Sequence, residues 1–166
     1  TTLAKPLAGG IPMGATLCTN EVARAFHAGM HGTTFGGGPF ACAVAIAVID
    51  TIEKDHLLDH VTEIGEYFQA QLRKLAERHA CIIDVRGKGL MIAAELDSAD
   101  LAKHAVTAML KDHVVINQTS DTVLRFLPPY IFEREHVDAT VAALDKVFTE
   151  FAAEHVPALA GGQTHG

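Results

Sequence analysis

Positive charge is scarce in this sequence. Lysine and arginine number 13 against 20 aspartate and glutamate residues, which gives a formal net charge of −7 and a pI near 5.7. The chain contains no basic run and no patch in which basic and aromatic residues alternate. Because nucleic acids and anionic lipids are bound through clustered positive charge, the composition argues against both kinds of partner. Small soluble molecules are the expected partners.

Cysteines are few, and long apolar runs are missing. The three cysteines, Cys18, Cys42 and Cys81, lack the Cys-x-x-Cys spacing of a zinc site or a redox pair, so free thiols are expected. The longest apolar run, from Pro39 to Ile49, is too short to span a bilayer. These features predict a protein of the reducing cytoplasm.

Histidine pairs with a spacing of four occur twice, as His27 with His31 and His56 with His60. On a helix such a pair shares one face, as metal ligands can. Gly29 interrupts the first helix, and neither pair has an obvious third ligand. Surface histidines are therefore favoured, and no metal site is predicted.

The rest of the composition is that of a globular protein. Hydrophobic residues make up 49% of the 166 residues, enough to bury a core. The patterns predict an α/β first part and an α+β second part. The predicted strands are residues 15–18, 80–85, 90–96, 114–116 and 122–126, and the predicted helices are residues 21–26, 40–54, 56–79, 98–110 and 133–154.

One lysine near the start of the chain lies in an apolar setting. Lys5 follows Leu3 and Ala4 and precedes Leu7 and Ala8, at a turn rich in proline and glycine. An amine that loses its hydration there is drawn toward the neutral, nucleophilic form, which imine formation with an aldehyde requires. The alternative is an ordinary surface lysine whose stem lies along the protein.

Two further segments could bind anions. The loop of residues 33–37 offers hydroxyl groups and unobstructed backbone N–H groups, which suit a phosphate, although a simple turn is the alternative. Arg125 lies in an otherwise apolar strand, where a guanidinium needs an anionic partner such as a carboxylate, unless the strand is an edge that faces water. The segment of residues 86–89 lacks the third glycine of a dinucleotide fingerprint, so a structural hairpin is favoured there.

Taken together, these segments resemble class III aminotransferases, which are pyridoxal-phosphate enzymes of fold type I. The resemblance runs from Thr2 to about Phe151. It is greatest for the acetylornithine branch, because of the sequence Lys-Pro-Leu-Ala-Gly-Gly at residues 5–10. It implies that Lys5 is catalytic and binds pyridoxal 5'-phosphate covalently. It also implies that Thr34 binds the cofactor phosphate of the neighbouring subunit in a homodimer, and that Arg125 binds the carboxylates of the amino acid and of 2-oxoglutarate.

The resemblance also divides the chain. Residues 1–54 would be the end of the large, cofactor-binding domain, residues 55–156 the C-terminal α+β small domain, and residues 157–166 a mobile tail. Members of the family carry a long preceding part with further cofactor contacts, so we expect this chain to be a C-terminal portion that does not catalyse alone.

The implied reaction moves an amino group between N2-acetylornithine and 2-oxoglutarate, a step of arginine biosynthesis. Two alternatives stay open. One is another class III aminotransferase, acting on ornithine, 4-aminobutyrate or an acetylated lysine precursor. The other is a non-catalytic fold-type-I remnant that serves dimerisation or binding.

Overall fold

The computed structural model describes residues 1–155, which form two compact units. The first runs from Thr1 to Leu58 and the second begins at Asp59. The domain boundary predicted after residue 54 lies four residues before this division and stays a prediction. The tail predicted for residues 157–166 lies outside the described residues. No helix between residues 1 and 155 is both long and apolar enough to cross a membrane.

The first unit contains a small hairpin and two helices. Strands β1 and β2 pair in antiparallel fashion, with Thr2 opposite Thr16 and Leu3 opposite Ala15. The strand predicted at residues 15–18 is thus confirmed over its first half. The elements of this unit are β1 (Thr2–Leu3), a 3-10 helix (Lys5–Ala8), β2 (Ala15–Thr16), α1 (Asn20–Ala23) and α2 (Pro39–Lys54).

Both helices of this unit begin where the sequence predicts. The hydroxyl of Thr19 accepts a hydrogen bond from the backbone N–H of Val22 and so caps α1, which ends at Ala23 rather than at Phe26. Gly38 precedes α2, and Pro39 occupies its first turn, where the missing N–H costs no hydrogen bond.

The second unit packs three helices on one antiparallel sheet. The four strands lie in the order β3-β4-β6-β5, so the sheet has β3 and β5 as its edges. Its elements are α3 (Leu57–Arg78), β3 (Ile82–Lys88), β4 (Met91–Leu96), α4 (Ala99–Lys111), β5 (Asn117–Gln118), β6 (Val123–Phe126) and α5 (Arg134–His155).

The core of this unit lies between one face of the sheet and the helices. Ile92 and Leu124 on the sheet and Phe68, Leu72 and Val137 on the helices are at most 1% exposed. The ring of Phe68 meets the edge of Phe126 with their centroids 5.1 Å apart, a favoured arrangement for two aromatic side chains. The opposite face of the sheet carries polar side chains, among them those of Arg86, Arg125 and Asn117.

Most predicted elements of the second unit are confirmed. The hydroxyl of Ser98 caps α4 through the N–H of Leu101. The predicted hairpin at residues 86–89 exists, although β3 extends to Lys88 and the turn itself is Gly89 and Leu90.

The strand predicted at residues 114–116 is wrong. These residues connect α4 to β5 without joining the sheet, and the strand is Asn117–Gln118 instead. Ile116 is buried while Val115 is 84% exposed, so the alternation in this segment reflects packing of Ile116 into the core and not pairing with another strand.

Candidate functional site

The turn that carries Lys5 is anchored on α2. Ala8, at the end of the 3-10 helix, is fully buried, and the turn packs against α2. Gly9 then adopts a φ of 60°, and a Cβ at this position would lie 3.3 Å from the side chain of Val48. The backbone conformation therefore favours glycine, and a larger residue would have to displace the Val48 side chain slightly. Helix α2 thus fixes the position of the chain just behind Lys5.

Lys5 itself has an unusual backbone conformation. Its φ is 57°, in the left-handed region that residues with long side chains rarely adopt. Such conformations cost about 1–3 kcal/mol and cluster at functional sites. The strain marks Lys5 as a residue whose direction is set by the fold around it.

The expectation that Lys5 is desolvated by its apolar neighbours is wrong for the described residues. The side chains of Lys5, Leu3 and Ala4 are exposed, and only Ala8 of the neighbouring apolar residues is buried. Ala8 serves the contact with α2, while Leu3 and Ala4 cover neither α2 nor the amine. The amine is open to solvent and can be reached by a ligand.

The glycine-rich loop forms a cleft at the start of α2. The cleft has a volume of about 380 Å³, and its lining residues are Pro12, Met13, Gly14, Thr33, Phe35, Gly36, Gly37 and Ala41. The first N–H groups of a helix have no partner within it, and they favour anions. Thr33 was not predicted as a site residue by itself. Its hydroxyl group and the glycines that follow it are the features of the sequence that could have identified it.

Neither of the two residues predicted to bind the cofactor lines this cleft. Thr34 is exposed, and it follows Thr33, which does line the cleft. Lys5 lies in the same unit but outside the lining residues. The described residues therefore do not bring Lys5 and Thr34 together in one enclosed pocket.

Arg125 lies in a row of paired residues on the outer face of the sheet. The register places Arg86 opposite Ala93, Ala93 opposite Arg125, and Arg125 opposite Asn117. Directly paired residues project from the same face of a sheet. The side chain of Arg125 is half-buried, and its Nε donates a hydrogen bond of 3.2 Å to Oδ1 of Asn117.

The two arginines of this row differ in their partners. Nη1 of Arg86 lies 2.6 Å from a carboxylate oxygen of Asp84 and 2.6 Å from one of Glu95. These hydrogen bonds, first that to Asp84 and then that to Glu95, raise the pKa of Arg86 above its ordinary value. Within residues 1–155, by contrast, Arg125 has no carboxylate within 4.0 Å. Arg125 is therefore available to a carboxylate from outside the chain.

Sequence comparison identifies the family of the chain. The sequence model of the family Aminotransferase class-III matches residues 1–148. The chain belongs to the class-III aminotransferases. The predicted family is thus confirmed. The family uses pyridoxal phosphate, so the predicted cofactor is confirmed at the level of the family.

Relatives found by sequence and by structure both include acetylornithine aminotransferases. The chain is 52% identical to the acetylornithine aminotransferase of Methanocaldococcus jannaschii over 90% of its own length and 37% of that protein. A solved acetylornithine aminotransferase from Elizabethkingia anophelis is 32% identical, with a TM-score of 0.83 over 90% of this chain and 40% of that one.

A third match is an amine transaminase from an uncultivated Pseudomonas species, solved in its pyridoxal-phosphate-bound form. It is 33% identical with a TM-score of 0.82, over 90% of this chain and 38% of that one. The predicted fold, part of a fold-type-I transferase, is confirmed by these likenesses. The chain spans well under half the length of each of these three proteins.

The residues of the first unit suit pyridoxal phosphate chemically. Lys5 offers an exposed amine on a turn fixed by α2. The loop before α2 offers hydroxyl groups and a helix N-terminus, which suit the phosphate.

Proposed function

We propose that the protein is a pyridoxal-phosphate-dependent aminotransferase that moves an amino group between N2-acetylornithine and 2-oxoglutarate, in arginine biosynthesis. The observation that carries this proposal is the 52% identity to an acetylornithine aminotransferase over 90% of the chain. A homodimer in the cytoplasm is proposed as its working form, because Thr34 is exposed and lies outside the cleft of its own unit, as expected of a residue that serves a neighbouring site.

Lys5 is proposed to hold the cofactor through its Nζ. Bound pyridoxal phosphate supplies a reactive aldehyde and an electron sink. Once the substrate amine takes the place of Lys5, the freed Nζ is a base that can remove the proton from the carbon bearing the transferred amino group. The exposure of Lys5 and its fixed, strained backbone support this role.

Thr34 is proposed to bind the cofactor phosphate with its hydroxyl. Its loop precedes α2, and an anion at this end of the 16-residue helix is favoured by the unpaired N–H groups. Thr34 lies outside the cleft of its own unit and is exposed, which agrees with a contact made to a second subunit.

Arg125 is proposed to bind the carboxylates of the amino acid and of 2-oxoglutarate. A guanidinium presents two parallel N–H donors that match a carboxylate. The half-burial of Arg125 strengthens such a bond, and no internal carboxylate within residues 1–155 competes for it.

The 166 residues alone are proposed to be inactive, because residues 1–155 leave Lys5 open to solvent and outside the lining of the cleft before α2. The test compares this chain with the full-length protein, each given pyridoxal phosphate, N2-acetylornithine and 2-oxoglutarate, with glutamate as the readout. Glutamate from the full-length protein alone is expected. Turnover by the isolated chain would contradict the inactivity.

The substrate is tested by competition among N2-acetylornithine, ornithine and 4-aminobutyrate on the full-length protein. The proposal expects the highest kcat/KM for N2-acetylornithine. A higher value for another donor would assign the protein to a different branch of the family. A folded protein that binds the cofactor but transfers no amino group would favour a binding role.

A further inference from the structure

One polar contact on the outer face of the sheet has a geometry suited to substrate binding. Oδ1 of Asn117, on edge strand β5, accepts a hydrogen bond from Nε of Arg125, on β6. We propose that Asn117 is a positioning residue, which aims the guanidinium of Arg125 at the substrate carboxylate. The inference rests on the proposed role of Arg125.

The atoms used by the contact leave the carboxylate-binding end free. A guanidinium has five N–H donors, one on Nε and two on each terminal nitrogen. Asn117 takes the Nε–H, so the two terminal nitrogens keep the parallel pair of donors that a carboxylate needs. The hydrogen bond to Asn117 also limits rotation of the long Arg125 side chain, which lowers the entropic cost of binding a carboxylate.

The chemistry of the partner also fits a positioning role. Asn117 is neutral, so it holds Arg125 without cancelling the charge. Arg86, in the same cross-strand row, is instead held by the carboxylates of Asp84 and Glu95. The row thus contains one arginine neutralised by the chain and one that is oriented but keeps its charge.

The backbone fixes Asn117 opposite Arg125. The two are direct register partners, and β5 has only two residues. The short connection to β6 is closed by the bond from Thr119 N to the carbonyl of Val123 and by the bond from Gln118 Nε2 to the carbonyl of Asp121. The backbone of Asn117 is therefore held opposite Arg125 by this turn.

The test measures binding of glutarate, an unreactive dicarboxylate, to the full-length protein loaded with cofactor. Because an arginine side chain that is not held in place loses more rotational freedom on binding, Asn117→Leu is expected to weaken the Kd by about 2- to 10-fold. Asn117 is exposed, so the substitution leaves the core intact. Thr119→Val, which removes an exposed polar group beside the same strand but leaves Arg125 and the hydrogen bonds of the turn, is the matched control and is expected to change the Kd by less than about twofold.

Two further readouts separate positioning from a general structural effect. KM for 2-oxoglutarate is expected to rise in Asn117→Leu. The first half-reaction with N-acetylputrescine, a donor without a carboxylate, is measured in the absence of 2-oxoglutarate and is expected to keep its rate. In an Arg125→Leu background, Asn117→Leu is expected to add nothing.

An unchanged glutarate Kd in Asn117→Leu, an equal loss with N-acetylputrescine, or an additive double variant would each overturn the inference. In those cases the wild type still transfers amino groups in an Arg125-dependent way, so the proposed function stands. A wild type that neither binds glutarate nor transfers an amino group would overturn the proposed function and the inference together.

Discussion

Gly65, in the middle of α3, lies directly against the carbonyl group of Gly89 in the turn between β3 and β4. A Cβ at Gly65 would overlap the backbone of Gly89, which itself has a φ of 53°. The helix and the hairpin therefore approach each other as closely as two backbones can. Gly89 therefore serves both this contact and the turn of the hairpin.

Gly65→Ala is expected to destabilise the protein. In an unobstructed helix this change stabilises by roughly 0.5–1 kcal/mol. Here the added methyl group displaces the hairpin, and overpacking of this kind costs about 1–3 kcal/mol. Urea denaturation measures the difference. Glu66→Ala, at the adjacent exposed position, is the control and is expected to shift the free energy of unfolding by no more than about 0.5 kcal/mol. A Gly65→Ala protein as stable as the wild type would show that the contact is not close.

Arg125→Leu is expected to raise KM for 2-oxoglutarate by about 10- to 100-fold, because a hydrogen-bonded charged group contributes about 1.5–3 kcal/mol. Arg86→Leu is the matched control, since Arg86 stands in the same row but is paired with Asp84 and Glu95. It should leave KM for 2-oxoglutarate near the wild-type value. Steady-state kinetics on the full-length protein measures both, and equal effects of the two variants would argue against a carboxylate site at Arg125.

The ion pairs of Asp145 predict a pH dependence of stability. Asp145 accepts hydrogen bonds of 2.6 Å from His79 and 2.8 Å from Arg78, and so joins the end of α3 to α5. The bond from His79, with a smaller effect of Arg78, holds the pKa of Asp145 below its ordinary value. The stabilisation is therefore complete above the unfolded pKa and is lost as the pH falls through the lower, folded value.

Asp145→Asn is accordingly expected to lower stability at pH 7 and to lose this disadvantage between about pH 5 and pH 2. Denaturation at a series of pH values measures the change. Glu154→Gln, at an exposed position on the same helix, is the control and should follow the wild-type profile. A constant difference between Asp145→Asn and wild type across this range would contradict the assigned cause.

Thr34→Val is expected to weaken binding of pyridoxal phosphate by about tenfold, since it removes one hydroxyl hydrogen bond to a charged phosphate while keeping the shape of the side chain. Spectroscopic titration of the full-length protein gives the Kd. Thr16→Val, on exposed strand β2, is the control. If the two variants bind the cofactor equally well, Thr34 does not contact the phosphate.

The helices were the most predictable part of the fold, because their signals are local. Pro39 and Ser98 mark helix starts through single-residue chemistry, and the structure places them there. The strand prediction for residues 114–116 was wrong because Ile116 packs into the core while the segment pairs with no strand. Sheet pairing depends on distant residues, which a local pattern does not contain.

The site was predictable only in its individual residues. Lys5 and Arg125 carry recognisable chemistry in their own segments. The contact of Arg125 with Asn117 depends on the pairing of β5 with β6. The two residues are eight positions apart, and no local sequence pattern predicts that they face each other. The exposure of Lys5 was likewise hidden, because apolar neighbours in the sequence do not show that a segment is buried, and Leu3 and Ala4 are themselves exposed.

Everything proposed for the reaction depends on Lys5 holding pyridoxal phosphate. The most direct test is borohydride reduction of the full-length protein in the presence of the cofactor, followed by peptide mapping. A reduced pyridoxyl group on Lys5, absent from a Lys5→Ala variant, is the predicted result. A folded, cofactor-bound protein with no label on Lys5, or with the label on another lysine, would contradict the account.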